Sequence, residues 1–107
     1  MSFVVRELPK ARQDKDSIFR WLEDRSPTGA LAWLDAYDSL LDRLKADAAM
    51  FGLAREAAEC EFEIRQALFK TPRGRVYRAL FFVEGSEVFI ARVRGPGQAP
   101  VTPQEIK

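Results

Sequence analysis

"RVYRALFFVEGSEVFIARVR", residues 75–94, is two β-rich runs on either side of the short connection "EGS". Val, Ile, Phe and Tyr suit a pleated, half-buried surface. A glycine-containing connection between two such runs marks a tight hairpin. Just upstream, "EFEIRQALF", residues 61–69, is a third strand-like run, separated by the loop "KTPRG". Three consecutive strands therefore close the chain, and they read as neighbours in one antiparallel sheet.

Successive side chains of a strand point to opposite faces. Tyr77, Ala79, Phe81 and Val83 fall together, and so do Phe62, Ile64 and Leu68, and Phe89, Ala91 and Val93. These three sets are the expected core face. The other face then carries Glu63, Arg65, Arg78, Arg92 and Arg94, with Leu80, Phe82, Val88 and Ile90 among them. Arginines set close together repel, and an anion or the Glu63 carboxylate would relieve them. An exposed apolar patch of this kind marks a partner site.

The N-terminal half supplies the cover. Residues 2–8, "SFVVREL", read as a first strand, and Pro9 suits a first helical turn. Residues 10–25 are a polar helix with a narrow stripe at Ala11, Ile18, Trp21 and Leu22. Ser26 and Pro27 restart a helix as N-cap and first residue. Ala30, Leu34, Tyr37, Leu41, Leu44 and Ala48 then recur at helical spacing, widened by Trp33 and Leu40. Gly52 is expected to end this helix in the left-handed conformation, and residues 53–61 to form a loop or an irregular turn. The fold class is α+β, in the order β-α-α-β-β-β, with a helical hairpin on one face of an antiparallel sheet. Residues 1–107 read as a single domain, with an extended Pro- and Gly-rich tail, "GPGQAPVTPQEIK", from residue 95.

Composition narrows the chemistry. The chain has 107 residues, no histidine and one cysteine, Cys60. Histidine catalysis and disulfides are excluded, no metal or cofactor is expected, and the lone cysteine fits a reducing cytoplasm. No leader or membrane span is expected from the N-terminus. Residues 1–61 hold nine basic and twelve acidic side chains, whereas residues 62–107 hold eight and four. One part of the fold is therefore basic.

The stretches "ELPKARQDKDSIFRWLEDRSP", "SPTGALAWLDAYDSLLDRL", "EFEIRQALF" and "RVYRALFFVEGSEVFIARVR" together resemble the RelE/ParE superfamily of toxins from bacterial type II toxin–antitoxin modules. The resemblance runs over nearly the whole chain, and "EIRQALF", "YRALF" and "ARVR" are its most specific part. It implies the β-α-α-β-β-β fold and a cognate antitoxin that masks the active surface in a hetero-oligomer. It implies one of two activities: ribosome-dependent cleavage of mRNA, or poisoning of DNA gyrase. Arg78 matches the arginine that RelE-like nucleases use to hold the scissile phosphate. Arg65 matches a basic catalytic position, and Tyr77 an aromatic or polar one. After the last strand those nucleases carry His, Tyr, Lys or Arg for acid–base chemistry, where this chain reads Gly95-Pro96-Gly97.

RNA cleavage by the 2′-hydroxyl needs a base, cations on the phosphorane and an acid. Glu63 is the leading base, with Tyr77 and Lys70 behind it. Arg65, Arg78, Arg92 and Arg94 suit the phosphorane, because guanidinium grips phosphate through two hydrogen bonds. Arg92 and Arg94 also suit the acids of an antitoxin, and Leu80, Phe82, Val88 and Ile90 its apolar side chains. Lys70, Arg73 and Arg75 lie on a loop where they would steer nucleic acid. No residue is persuasive as the acid. A different reading of the same residues is a non-toxic member that only binds a partner or represses its own operon with it.

Overall fold

The computed structural model describes residues 2–106. Its elements follow the expected order: β1 (Val4–Glu7), α1 (Pro9–Arg25), α2 (Pro27–Asp47), β2 (Arg65–Phe69), β3 (Tyr77–Glu84) and β4 (Glu87–Arg94), with a short α3 (Pro103–Ile106) added at the end. The sheet order is β1-β4-β3-β2. Strand β1 runs parallel to β4, and the other two pairings are antiparallel. No helix among the described residues is long and apolar enough to cross a membrane.

Ser26 alone makes the corner between the two long helices. Its extended backbone (φ −159°, ψ 101°) stops α1, and its N–H donates to the Leu22 carbonyl at 2.8 Å. Its Oγ accepts from the Gly29 N–H at 3.0 Å, capping α2. The expected stop at Gly52 is not how α2 ends. The helix closes at Asp47 and tightens into a 3₁₀ turn over Ala48–Met50. Gly52 is not among the glycines with positive φ; its carbonyl accepts from the Gln66 N–H at 3.0 Å. The expected loop at 53–61 holds a second 3₁₀ turn, Arg55–Glu59. The β3–β4 hairpin turns as expected, with Gly85 at φ 61°.

A β-bulge changes which side chains share a face. Leu80 lies opposite Arg92 and Phe81 opposite Ile90, so Ala91 is an extra residue in β4. On the hairpin side of the bulge the alternation is reversed from that expected. Val88 and Ile90 join Phe81 and Val83 under the helices, while Phe89 stacks on Phe82 on the far face, with ring centroids 5.3 Å apart. Strand β2 also departs from expectation. Ala67 and Phe69 pair with Ala79 and Tyr77 on the helix face, and Leu68 is exposed. Phe62 and Ile64 both precede β2, so their alternation does not carry into it, and Ile64 turns under the far face.

Two cores result. Trp33, Tyr37, Leu40 and Leu44 of α2 cover Ala79 and Phe81 on the helix face. Ile64, Leu80, Phe82 and Ala91 form the far-face core together with Val101 and Ile106. The tail expected to be extended instead folds back across the sheet. Val101 and Ile106 are buried there, each contributing about 1.5–3 kcal/mol if fully removed from water.

Candidate ligand-binding surface

The expected open patch of Leu80, Phe82, Val88 and Ile90 does not exist as a surface. Leu80, Val88 and Ile90 are fully buried and Phe82 nearly so: Val88 and Ile90 lie under the helices because of the bulge just described, and Leu80 and Phe82 lie in the far-face core with the tail. An apolar groove of about 460 Å³ remains on the far face, between Leu8 and Pro9 on one side and Phe82, Phe89 and Ile106 on the other.

The arginines expected on one open face are divided and occupied. Arg65 pairs with Phe81 and so lies on the helix face, away from Arg78. It donates to the Phe51 carbonyl at 2.5 Å and to Glu63 at 2.8 Å. Glu63 is thus an ion-pair partner on an exposed stretch. Arg78, Arg92 and Arg94 do share the far face with one another. Both terminal nitrogens of Arg78 donate to Glu56, at 2.8 and 2.5 Å. The Glu56 side chain is 1% exposed and also accepts the Val101 N–H at 3.2 Å. Burial pushes the Glu56 carboxyl up, but the hydrogen bonds and charge of Arg78 and the backbone donors hold it below the usual carboxylate range.

Arg92 grips Asp14 of α1 through Nε at 2.7 Å and Nη2 at 3.0 Å, and reaches Glu105 at 3.5 Å. Asp14 also accepts the Val93 N–H at 3.0 Å, an edge donor beyond the last β1 pairing at Glu7 and Ile90. Arg94 donates to the Ala99 carbonyl at 2.6 Å, and its Nε is buried without a partner. Glu105 in turn accepts from the Thr102 N–H and hydroxyl, both at 3.0 Å, which caps α3. These bonds lower its carboxyl, with the charges of Arg92 and Arg94 adding to the effect.

Lys70, Arg73 and Arg75 are different. They lie on the β2–β3 connection, fully on the surface, and none makes an ion pair or hydrogen bond among the described residues. Arg75 borders a cleft of about 440 Å³ between α1 and the adjoining ends of β3 and β4. Ile18 and Trp21 form one wall, Tyr77 and Pro96 the other, and Gln98 closes the end. Trp21 was expected in the buried stripe of α1, but it is 52% exposed, and the Arg25 guanidinium lies over its ring at 3.7 Å. Tyr77 is held edge-on against Trp33 with centroids 5.5 Å apart. A Cβ at Gly95 would sit 3.0 Å from its ring, so a side chain there would press on Tyr77. Burial raises the Tyr77 hydroxyl pKa, partly opposed by the charge of Arg75.

Glu56 and Asp14, the two carboxylates that organise the far face, were not singled out from sequence. Both sit in segments whose local pattern says only "polar", and their partners are distant in the chain. No cluster of His, Cys, Asp and Glu among the described residues could hold a metal ion.

No protein-family model and no curated protein matches this chain. A solved structure does: one chain of the "Chromosomal ParDE TA system from P. aeruginosa" superposes with a TM-score of 0.66, covering 88% of this chain and 96% of that one at 23% sequence identity. The two chains share a fold. The expected order of an N-terminal strand, a helical hairpin and three closing strands is the one observed, but the sheet is mixed rather than antiparallel, because β1 joins it parallel to β4.

Proposed function

We propose that this chain is the toxin of a toxin–antitoxin pair, that it arrests bacterial growth by binding a protein target of the DNA gyrase type rather than by cutting mRNA, and that a cognate antitoxin neutralises it in a hetero-oligomer. The observation that carries the choice of target is the Arg78–Glu56 pair. The guanidinium that would stabilise a phosphorane already has both terminal nitrogens on an internal carboxylate. Replacing that carboxylate by RNA would leave Glu56 buried and uncompensated.

The proton-transfer requirement points the same way. Tyr77 has a raised pKa, arginine holds its proton too tightly to act as an acid at neutral pH, and Gly95 leaves no side chain where the nuclease family places one. The fold shared with a ParDE chain supports the toxin–antitoxin assignment. On this reading Arg65, Arg78 and Glu63 are structural, the cytoplasm is the site of action, and the antitoxin engages surface other than Leu80, Phe82, Val88 and Ile90.

Induction of the chain alone in bacteria tests this. Growth arrest with filamentation and a DNA-damage response is the expected result, relieved by co-expression of the antitoxin. Early loss of translation with cleaved transcripts would overturn the protein-target assignment. Unimpaired growth would overturn the toxin assignment and favour a chain that only binds a partner.

A further inference from the structure

We propose that the cleft between α1 and the adjoining ends of β3 and β4 is a binding site for a nucleobase carrying a phosphate. Its volume, about 440 Å³, is that of a small-molecule site, and its walls are mainly apolar with a few polar groups at the edges. Two aromatic side chains line it. Trp21 is half exposed at the cleft, with the Arg25 guanidinium over its ring at 3.7 Å. Tyr77 is fixed in place by Trp33 on one side and by the close approach of Gly95 on the other. A planar base gains stacking energy on such rings whatever its identity.

The polar groups fit the rest of a nucleotide. Gln98 uses its side-chain oxygen on the Gly95 N–H at 2.5 Å, which fixes the amide and leaves its NH₂ to donate to a base edge. Ser17 offers a hydroxyl on the opposite side. Arg75 stands at the cleft with no acid partner, and Arg73 and Lys70 continue the same connection. Positive charge beside stacking faces is the combination that holds a phosphate next to a base. The contrast with Arg78 and Arg92 sharpens the assignment, since those arginines have their acids within the chain whereas Arg75 does not. The proposal is independent of whether the chain is toxic.

The two tryptophans provide the test. In ¹H–¹⁵N spectra of the full chain, Trp21 and Trp33 give separate indole signals, one from an exposed ring and one from a buried one. Titration with AMP should shift the Trp21 indole and the Gln98 amide signals saturably, with Trp33 moving little. Arg75→Ala and Trp21→Ala should each weaken AMP binding by at least about fivefold, read from the Gln98 signals, while the Trp33 signal reports an intact fold. A six-nucleotide single-stranded RNA identifies the source of the nucleotide. If a strand is the ligand, it binds more tightly than AMP, in a salt-dependent way, and Arg73→Ala weakens it alone. If a free nucleotide is the ligand, the two bind alike and Arg73→Ala changes neither. Absence of any shift with both probes at millimolar concentration would overturn the proposal. So would shifts that survive both variants, or binding of an acidic peptide at these signals where the nucleotides fail.

Discussion

The two faces of the sheet are closed by different means. On the helix face, two long helices with a regular apolar stripe lie over Ala79, Phe81 and Ile90, and the contact is mainly apolar, with Glu7 of β1 accepting from the Tyr37 hydroxyl and from Lys15 at its edge. On the far face the cover is short and irregular: one 3₁₀ turn and a tail ending in a single helical turn. That cover is placed by buried charge, with Glu56 bridging Arg78 to the Val101 amide, and Arg92 bridging α1 to α3. Apolar area supplies free energy without direction, whereas bidentate pairs supply direction with little net free energy. Short segments with few apolar residues need the second kind of contact to settle in one arrangement.

Mutations can break this comparison, and the largest effect belongs to the helix face. Phe81→Ala empties a fully buried ring site and should cost about 4 kcal/mol in urea denaturation. Glu56→Ala should cost about 3 kcal/mol, because it leaves Arg78 partly buried without its acid. If Glu56→Ala were neutral, the far face would not depend on this pair. Ile106→Ala should cost about 2 kcal/mol, less than a central core site because a terminal turn can relax into the gap. Its amide-exchange signature should be confined to the tail and the 55–59 turn. Arg75→Ala should change stability by less than about 0.5 kcal/mol, since its side chain holds nothing within the chain.

Acid should separate the faces further. The Glu56 carboxyl titrates below its unfolded value near 4.5, so the unfolded chain takes up the proton first as pH falls. Its stabilising contribution is complete above that value and is lost as pH drops through the lower folded pKa. Urea midpoints measured from pH 6 to pH 3 should fall for the parent chain. They should fall less steeply for Glu56→Gln, which has no carboxyl to protonate.

The helix face was largely readable from sequence. Its helices carry a repeat at Ala30, Tyr37, Leu44 and Ala48, and Ser26-Pro27 marks the corner between them. The far face was not. Ala91 gives no local sign that it is an extra residue, yet it moves Val88 and Ile90 to the helices and Phe89 away from them. The tail looks disordered by composition because its two buried residues, Val101 and Ile106, are too sparse to form a pattern. Arg78 and Arg92 were correctly placed together, but their acids lie 22 and 78 residues earlier in the chain, where no spacing rule reaches. Trp21 satisfies the helical period of α1, yet it stands half exposed. Period places a residue on a face, and how far that face is covered depends on where the sheet ends.

A double-mutant cycle on Glu56 and Arg78 tests most directly whether the far-face arginines serve the chain itself. Glu56→Gln, Arg78→Met and the double variant would be compared with the parent in urea at pH 7. A coupling of about 2–3 kcal/mol is predicted for this buried, bidentate pair. A coupling below about 0.5 kcal/mol, the value of an exposed pair, would contradict it and return Arg78 to the set of side chains free to meet a ligand.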